Sequence, residues 1–158
     1  MLNISMVRVD ERLIHGQIVI KWIEEKNADR IVIIDDSTAA DPIMEEILRM
    51  ALPKDIILNI YGIKEGANFL KTNHLNDIVI VLVKKLWVAK KIYTEGVKIN
   101  EINIGRIPSG VGKKMVYANV FVSDKDIDII NFFRTEKVPM AIQMVPDSTP
   151  TNVYELEF

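Results

Sequence analysis

The sequence predicts an α/β fold, a three-layer α/β/α sandwich around a mainly parallel central sheet of about six to seven strands. Three observations carry this. Short β-branched runs alternate with helix-like segments along the chain. Several runs, such as IVIVLV at 78–83, are apolar at every position, the pattern of strands covered on both faces. The connections between segments are short. With 158 residues, 49% of them hydrophobic and 27% charged, the chain suits one packed core. No linker, repeat or low-complexity segment divides it, so one domain is expected over 1–158.

Taken in order, the strand ISMVRV (4–9) precedes a helix GQIVIKWIEEK (16–26). RIVIID (30–35) precedes DPIMEEILRMAL (41–52), where Asp41 stands as a cap residue ahead of Pro42 at the first helical position. DIILNIY (55–61) precedes KEGANFLKT (64–72), and DIVIVLV (77–83) precedes KKLWVAKKIYTEG (84–96). EINIG (101–105) leads into a Gly/Pro/Ser-rich loop at 106–112, read as mobile at the rim. MVYANVFVS (115–123) reads as one strand, DKDIDIINFFRTEK (124–137) as a helix capped by Ser123 or Asp124, and VPMAIQMV (138–145) as a last strand. The tail from 145 reads as an irregular strand or arm. Trp22 and Trp87 are assigned to core or rim packing, and Met44, Met50, Met140 and Met144 to core filling.

Composition removes several function classes. There is no cysteine, so disulfides, thiolate catalysis and cysteine-based zinc sites are excluded. A formal net charge of −2 gives no basic excess for nucleic acid. The apolar runs are too short to cross a bilayer, and the N-terminal stretch lacks the pattern of a signal peptide. A cytoplasmic protein is expected, with no direct membrane insertion.

In open parallel sheets, ligands bind beyond the carboxyl ends of the strands. The predicted ends gather Asp10-Glu11-Arg12, Asp35-Asp36-Ser37-Thr38, Tyr61-Gly62, Lys84-Lys85 and the 105–112 loop on one rim. His15 and Gly16 fall where the first helix begins. A helix start offers free N–H groups and a partial positive charge, which suit an anion. An imidazole with a free lone pair there can attack phosphorus. Gly16 would let backbone approach the phosphoryl group, and Arg12 would supply a forked donor to its oxygens. Arg8 reaches the same place only if its side chain points to the rim. Asp10 could orient Arg12 or fix the loop, and Gln17 is a neutral donor in the first helical turn. Taken alone, a histidine at a helix start is most often a surface residue, and Arg12 with Asp10 an ordinary ion pair. Lys84, Lys85, Lys90 and Lys91 read as a solvated helix face, with steering of acidic partners as the alternative.

The stretch VRVDERLIHGQIVIKW resembles the N-terminal signature of the mannose/fructose/sorbose family of sugar phosphotransferase system (PTS) IIB components. That signature is an apolar strand, then Arg-x-Asp-x-Arg-Leu-Ile-His-Gly-Gln, then an apolar helix containing Trp. Arg8, Asp10, Arg12, Leu13, Ile14, His15, Gly16, Gln17 and Trp22 fill those places without a gap. The likeness extends more loosely to the acidic turn IIDDSTAAD and to INIGRIPSG, where Arg106 occupies a position that varies in the family. The resemblance implies a phosphoryl carrier with no metal or cofactor. His15 would take phosphate from a IIA domain, on the ring nitrogen nearer the backbone. It would pass it to sugar bound in a IIC/IID membrane permease. Arg12 would assist, the backbone of 13–16 would cradle the phosphoryl group, and Arg8 and Asp10 would support the loop. Asp35, Asp36, Ser37 and Ser109 would border the site. Oligomeric state, a homo-oligomer included, and the sugar are not read from this chain. The competing reading is a receiver-like regulatory domain phosphorylated on an aspartate of the Asp35-Asp36 turn.

Overall fold

The computed structural model describes residues 2–158, the side chain of Ile18 excepted. Its frame is a seven-stranded sheet in the order β3-β2-β4-β1-β5-β8-β9. The strands are β1 (Asn3–Asp10), β2 (Arg30–Ile34), β3 (Ile57–Tyr61), β4 (Ile78–Val83), β5 (Ile102–Arg106), β8 (Met140–Ile142) and β9 (Thr151–Asn152). Every pairing is parallel except β8 with β9. The helices are α1 (Gly16–Lys26), α2 (Asp36–Ala39), α3 (Pro42–Met50), α4 (Ile63–Thr72), α5 (Leu86–Thr94) and α6 (Asp124–Thr135).

The continuous apolar runs have the expected cause. Along β2 and β4, alternate residues feed two separate cores. Ile31, Ile33, Ile80 and Leu82 pack with Trp22 and Ile23 of α1 and Leu48 of α3. Val32, Ile34, Val79 and Val81 pack with α4, α5 and α6. Both faces of the sheet are therefore covered, and no polar alternation survives in β2 or β4. Each fully buried Val or Ile contributes about 1.5–3 kcal/mol, so these strands are where most of the apolar stabilisation is concentrated. The three-layer α/β fold read from the sequence is the fold observed.

Several local readings change. The expected single strand at 115–123 is a hairpin, β6 (Lys114–Tyr117) and β7 (Val120–Val122), forming its own two-stranded antiparallel sheet. Asn119 makes the reversal, at φ 62°, a left-handed conformation that asparagine tolerates better than most residues. The Asp35–Ser37 turn is the start of the short helix α2. The last strand stops at Ile142 rather than 145, and the tail adds β9 and a 3-10 turn, Val153–Glu155. Met140 is buried as expected, but Met44 and Met50 face outward on α3, Met50 being 78% exposed, so core filling is the wrong role for both. Met144 is half-buried at the rim.

The caps behave as sequence chemistry predicts. Asp41 accepts from the N–H groups of Ile43 and Met44 at 3.1 Å each, with Pro42 behind it. Ser123 and Asp126 form a reciprocal capping box on α6. Among the described residues no helix is long and apolar enough to cross a membrane.

Candidate functional site

The site is built at the carboxyl end of β1. Arg8 and Asp10 lie two apart on this strand, so they project from one face. Both are buried, at 1% and 2% exposure, which is unusual for charged residues. The Arg8 guanidinium donates to the Asn103 side chain, to the carbonyls of Gln143 (3.0 Å) and Met144 (3.2 Å), and to Asp10 Oδ2 (3.4 Å). It also lies 5.7 Å from the centre of the Trp22 ring. Only its Nε, among the described side chains, is buried with no partner. Burial lowers the Arg8 pKa to about 10, Asp10 opposing the shift, and Arg8 stays cationic at neutral pH.

Asp10 passes this order on to the loop. Its two oxygens accept from Arg12 Nε (2.9 Å) and Nη2 (2.8 Å), and Oδ1 also accepts from the Arg12 backbone N–H (3.0 Å). This is a bidentate fork, the strong form of the Arg–carboxylate pair. The hydrogen bonds from Arg12 to Asp10 hold the Arg12 pKa above its ordinary value. Arg12 Nη2 further contacts Met144 Sδ at 3.6 Å, and Trp22 Nε1 donates to the Met144 carbonyl at 3.0 Å. Arg12 Nη1 has no hydrogen-bond partner among the described residues. Two guanidiniums against one carboxylate leave one positive charge uncompensated at this rim.

Beyond Arg12 the chain reverses. The Leu13 N–H donates to the Asp10 carbonyl at 3.0 Å, and Leu13 adopts φ 55°, a left-handed conformation costly for leucine. Burial of Leu13 and Ile14 in the α1-side core anchors the turn. His15 is then left exposed at the N-cap of α1, φ −127° and ψ 94°, making no side-chain cap bond. Gly16 follows at φ 48°, with no atom within 4 Å of where a Cβ would stand. Its glycine is required by backbone conformation rather than by crowding. Gln17 is exposed in the same turn. The motif residues thus share one turn: an exposed imidazole at a helix start, with a pinned arginine three residues before it in the chain.

Three of the four expected border residues, Asp35, Asp36 and Ser37, make local bonds of their own. Asp35 Oδ2 accepts from the Thr38 N–H (3.0 Å) and hydroxyl (2.6 Å), the Ser37 hydroxyl (2.7 Å) and Lys84 Nζ (3.2 Å). Burial alone would raise the Asp35 pKa. The bonds from Thr38, Ser37 and Lys84 outweigh it and bring the value down to about 2. Asp36 Oδ1 accepts from the Ile63 N–H at 2.8 Å and so caps α4. No hydrogen bond links Asp35, Asp36 or Ser37 to the His15 loop among the described residues, and Ser109 is exposed. Lys91 pairs with Glu95 on its own helix, and Lys90 lies over the Phe132 ring.

Sequence reasoning gave no site role to four contributors. Asn103, Gln143 and Met144 hold the arginines, and Arg106 Nε pairs with Glu11 at 2.9 Å across the rim. Gly105 is the fifth part of the arrangement: a Cβ there would meet Arg8 Nη2 at 2.2 Å and Asp10 Oδ2 at 2.6 Å. One signal was available. An arginine set among Met6, Val7 and Val9 in a buried strand demands buried partners. Among the described residues no cluster of three or more His, Asp or Glu side chains is placed to hold a metal ion.

Residues 4–157 match the family model described as the PTS system sorbose subfamily IIB component. The chain is 26% identical to the N-acetylgalactosamine-specific phosphotransferase enzyme IIB component 2 of Escherichia coli (strain K12), over 99% of both chains. It is 26% identical to the sorbose-specific EIIB component of Klebsiella pneumoniae, covering 98% of this chain and 94% of that one. The mannose-specific EIIAB component of Escherichia coli (strain K12) is 25% identical over 97% of this chain but 48% of its own length. Among solved structures, the IIBSor domain of the Klebsiella pneumoniae sorbose permease superposes with a TM-score of 0.89 at 26% identity, covering 96% and 93% of the two chains.

Proposed function

The chain belongs to the sorbose subfamily of IIB components of the sugar phosphotransferase system, and from that premise we propose that it is the system's phosphoryl carrier, with His15 as acceptor. The donor is a phosphohistidine on a IIA protein, and the final acceptor is sugar bound by a IIC/IID membrane permease. The carrier works on the cytoplasmic side. One observation carries the assignment: His15 is exposed and uncapped at the start of α1, while Arg12, held in a fork by Asp10, keeps Nη1 free.

The chemistry follows from that arrangement. The imidazole lone pair attacks the phosphorus of the incoming phosphohistidine, a P–N bond forms at His15, and the P–N bond to the donor breaks in line with it. The donor imidazole leaves with its electron pair. Catalysis of such a step is mainly positioning and charge stabilisation. The N–H groups at the start of α1 and the Arg12 guanidinium face the charge that develops on the equatorial oxygens. The rest of the site is open, which suits approach of the donor's phosphohistidine and later attack on the phosphorus by a sugar hydroxyl. The grip is also moderate, and a carrier needs that. Too many donors would make the phosphohistidine a trap.

The competing idea of an aspartyl-phosphate switch has less support, since Asp35 is spent on capping α2 and on Lys84, and Asp36 on capping α4. Incubation with phosphoenolpyruvate, the general phosphotransferase proteins and a cognate IIA separates the two. Carrier chemistry yields an acid-labile, base-stable phosphate that His15→Ala abolishes. A hydroxylamine-sensitive phosphate surviving His15→Ala would overturn the assignment.

A further inference from the structure

Glu11 and Lys84, both at this rim, also line a second concavity that the phosphoryl-carrier reading does not use. It opens between the start of α5, the loop after β5 and the start of α6, over the carboxyl ends of β4 and β5. Its volume is about 880 Å³, within the roughly 300–1,000 Å³ of small-molecule sites. Ligands of open α/β sheets favour this edge.

Its lining is divided by chemistry. Leu86, Ile107 and Ile129 are buried and form an apolar floor. Beside them stands Trp87, 48% exposed, a large aromatic plane left open to solvent. The walls carry Lys84, Lys85, Lys90, Lys113 and Lys125. The facing carboxylates do not balance them. Glu11 is committed to Arg106, and Asp126 to the capping box with Ser123. Asp128 alone among the lining acids has no such partner among the described residues. Lys84 is shared with Asp35, whereas Lys85, Lys113 and Lys125 have no ion pair among the described residues. Like charges gathered in one concavity repel, and a bound dianion removes that repulsion.

We propose that this cleft binds a small phosphate monoester, its phosphate between the lysines and its ring-bearing body against Trp87. Lysine ammonium groups suit a phosphate as mobile point charges, and an indole face suits a flat or C–H-rich ring. A concave, apolar-floored cavity fits a small molecule better than the flat face of a protein partner. The proposal stands apart from the carrier assignment, because neither His15 nor Arg12 lines this cleft.

The ligand could be a sugar phosphate or a nucleotide, which share this chemistry. The test uses glucose 6-phosphate, adenosine monophosphate, inorganic phosphate and glucose as probes, titrated by calorimetry and by Trp fluorescence. Trp87 is the exposed reporter and Trp22 is buried. The expected result is saturable one-to-one binding of at least one monoester, weakening with added salt. The better monoester identifies the source. Glucose should not bind, and inorganic phosphate should bind about tenfold more weakly or worse, having no ring to place on Trp87. Lys85→Ala with Lys113→Ala should weaken the monoester about tenfold or more, and His15→Ala should leave it unchanged. If the double variant melts lower than wild type, Lys125→Ala alone should show a smaller loss in the same direction. No binding of either monoester, undiminished binding in the lysine variants, or loss of binding in His15→Ala would each overturn the proposal.

Discussion

Arg12 is gripped on one edge of its guanidinium and open on the other. Asp10 takes Nε, Nη2 and the backbone N–H, and Nη1 has no hydrogen-bond partner among the described residues. A lysine cannot reproduce a fork on Asp10 and a donor to phosphate at the same time. Arg12→Lys should therefore slow phosphorylation of His15 by about 10²-fold, the scale of losing one preorganised donor. Thermal unfolding should stay near wild type, since Arg12 is partly exposed. Quench-flow phosphorylation beside a melting curve checks both. Asp10 is different, being buried between two guanidiniums. Asp10→Asn keeps its shape but leaves two positive charges unneutralised, so stability should fall by about 3 kcal/mol or more in urea unfolding. The motif made His15, Arg12 and Asp10 legible in the sequence. The partners of Arg8 were not, because Asn103 and the carbonyls of Gln143 and Met144 lie 95, 135 and 136 residues away along the chain.

At the scale of elements, the site depends on strand ends meeting. Gly105 in β5 is what lets Arg8 and Asp10 of β1 lie against its backbone. Gly105→Ala should cost about 1–3 kcal/mol, as overpacking does, and should slow phosphoryl transfer by displacing Arg12 through Asp10. A variant with lowered melting temperature but wild-type transfer rate would show the two are uncoupled. Helix α2 carries a pH signature. The folded Asp35 pKa, about 2, lies below its ordinary value of 3.8. Its contribution to stability is therefore present above the ordinary carboxylate range and is lost as pH falls towards about 2. Asp35→Asn should flatten the acid side of the unfolding-midpoint profile in that window and nowhere else. Helix starts were legible where a cap residue and proline or a reciprocal acid announced them, as at Asp41-Pro42 and Ser123. The hairpin at β6 and β7 was hidden in a short run rich in valine and aromatic residues, its one clue being Asn119. The outward face of α3 was hidden too, since Ile43, Ile47 and Met50 hold the i, i+4, i+7 spacing of a core-facing stripe and yet are exposed.

For the whole molecule, β4 and most of β2 announced the architecture because they are apolar on both sides and can only be an inner layer. The order of those strands is a different matter. β1 pairs with β4 and β5, and nothing local in the sequence encodes neighbours so far apart. That order determines which loops share a rim, so the motif could single out His15 as a candidate while its surroundings waited for the fold. The rim combines an uncompensated positive charge, a helix start and an accessible imidazole, and the account rests on those three acting together on one phosphoryl group. The most direct measurement is to phosphorylate the protein through its IIA partner and locate the phosphate by phosphorus NMR and peptide mapping at neutral to mildly basic pH. A single phosphoramidate on the His15 ring nitrogen nearer the backbone is the predicted result. Phosphate on His74, on an aspartate of the 35–36 turn, or nowhere would contradict it.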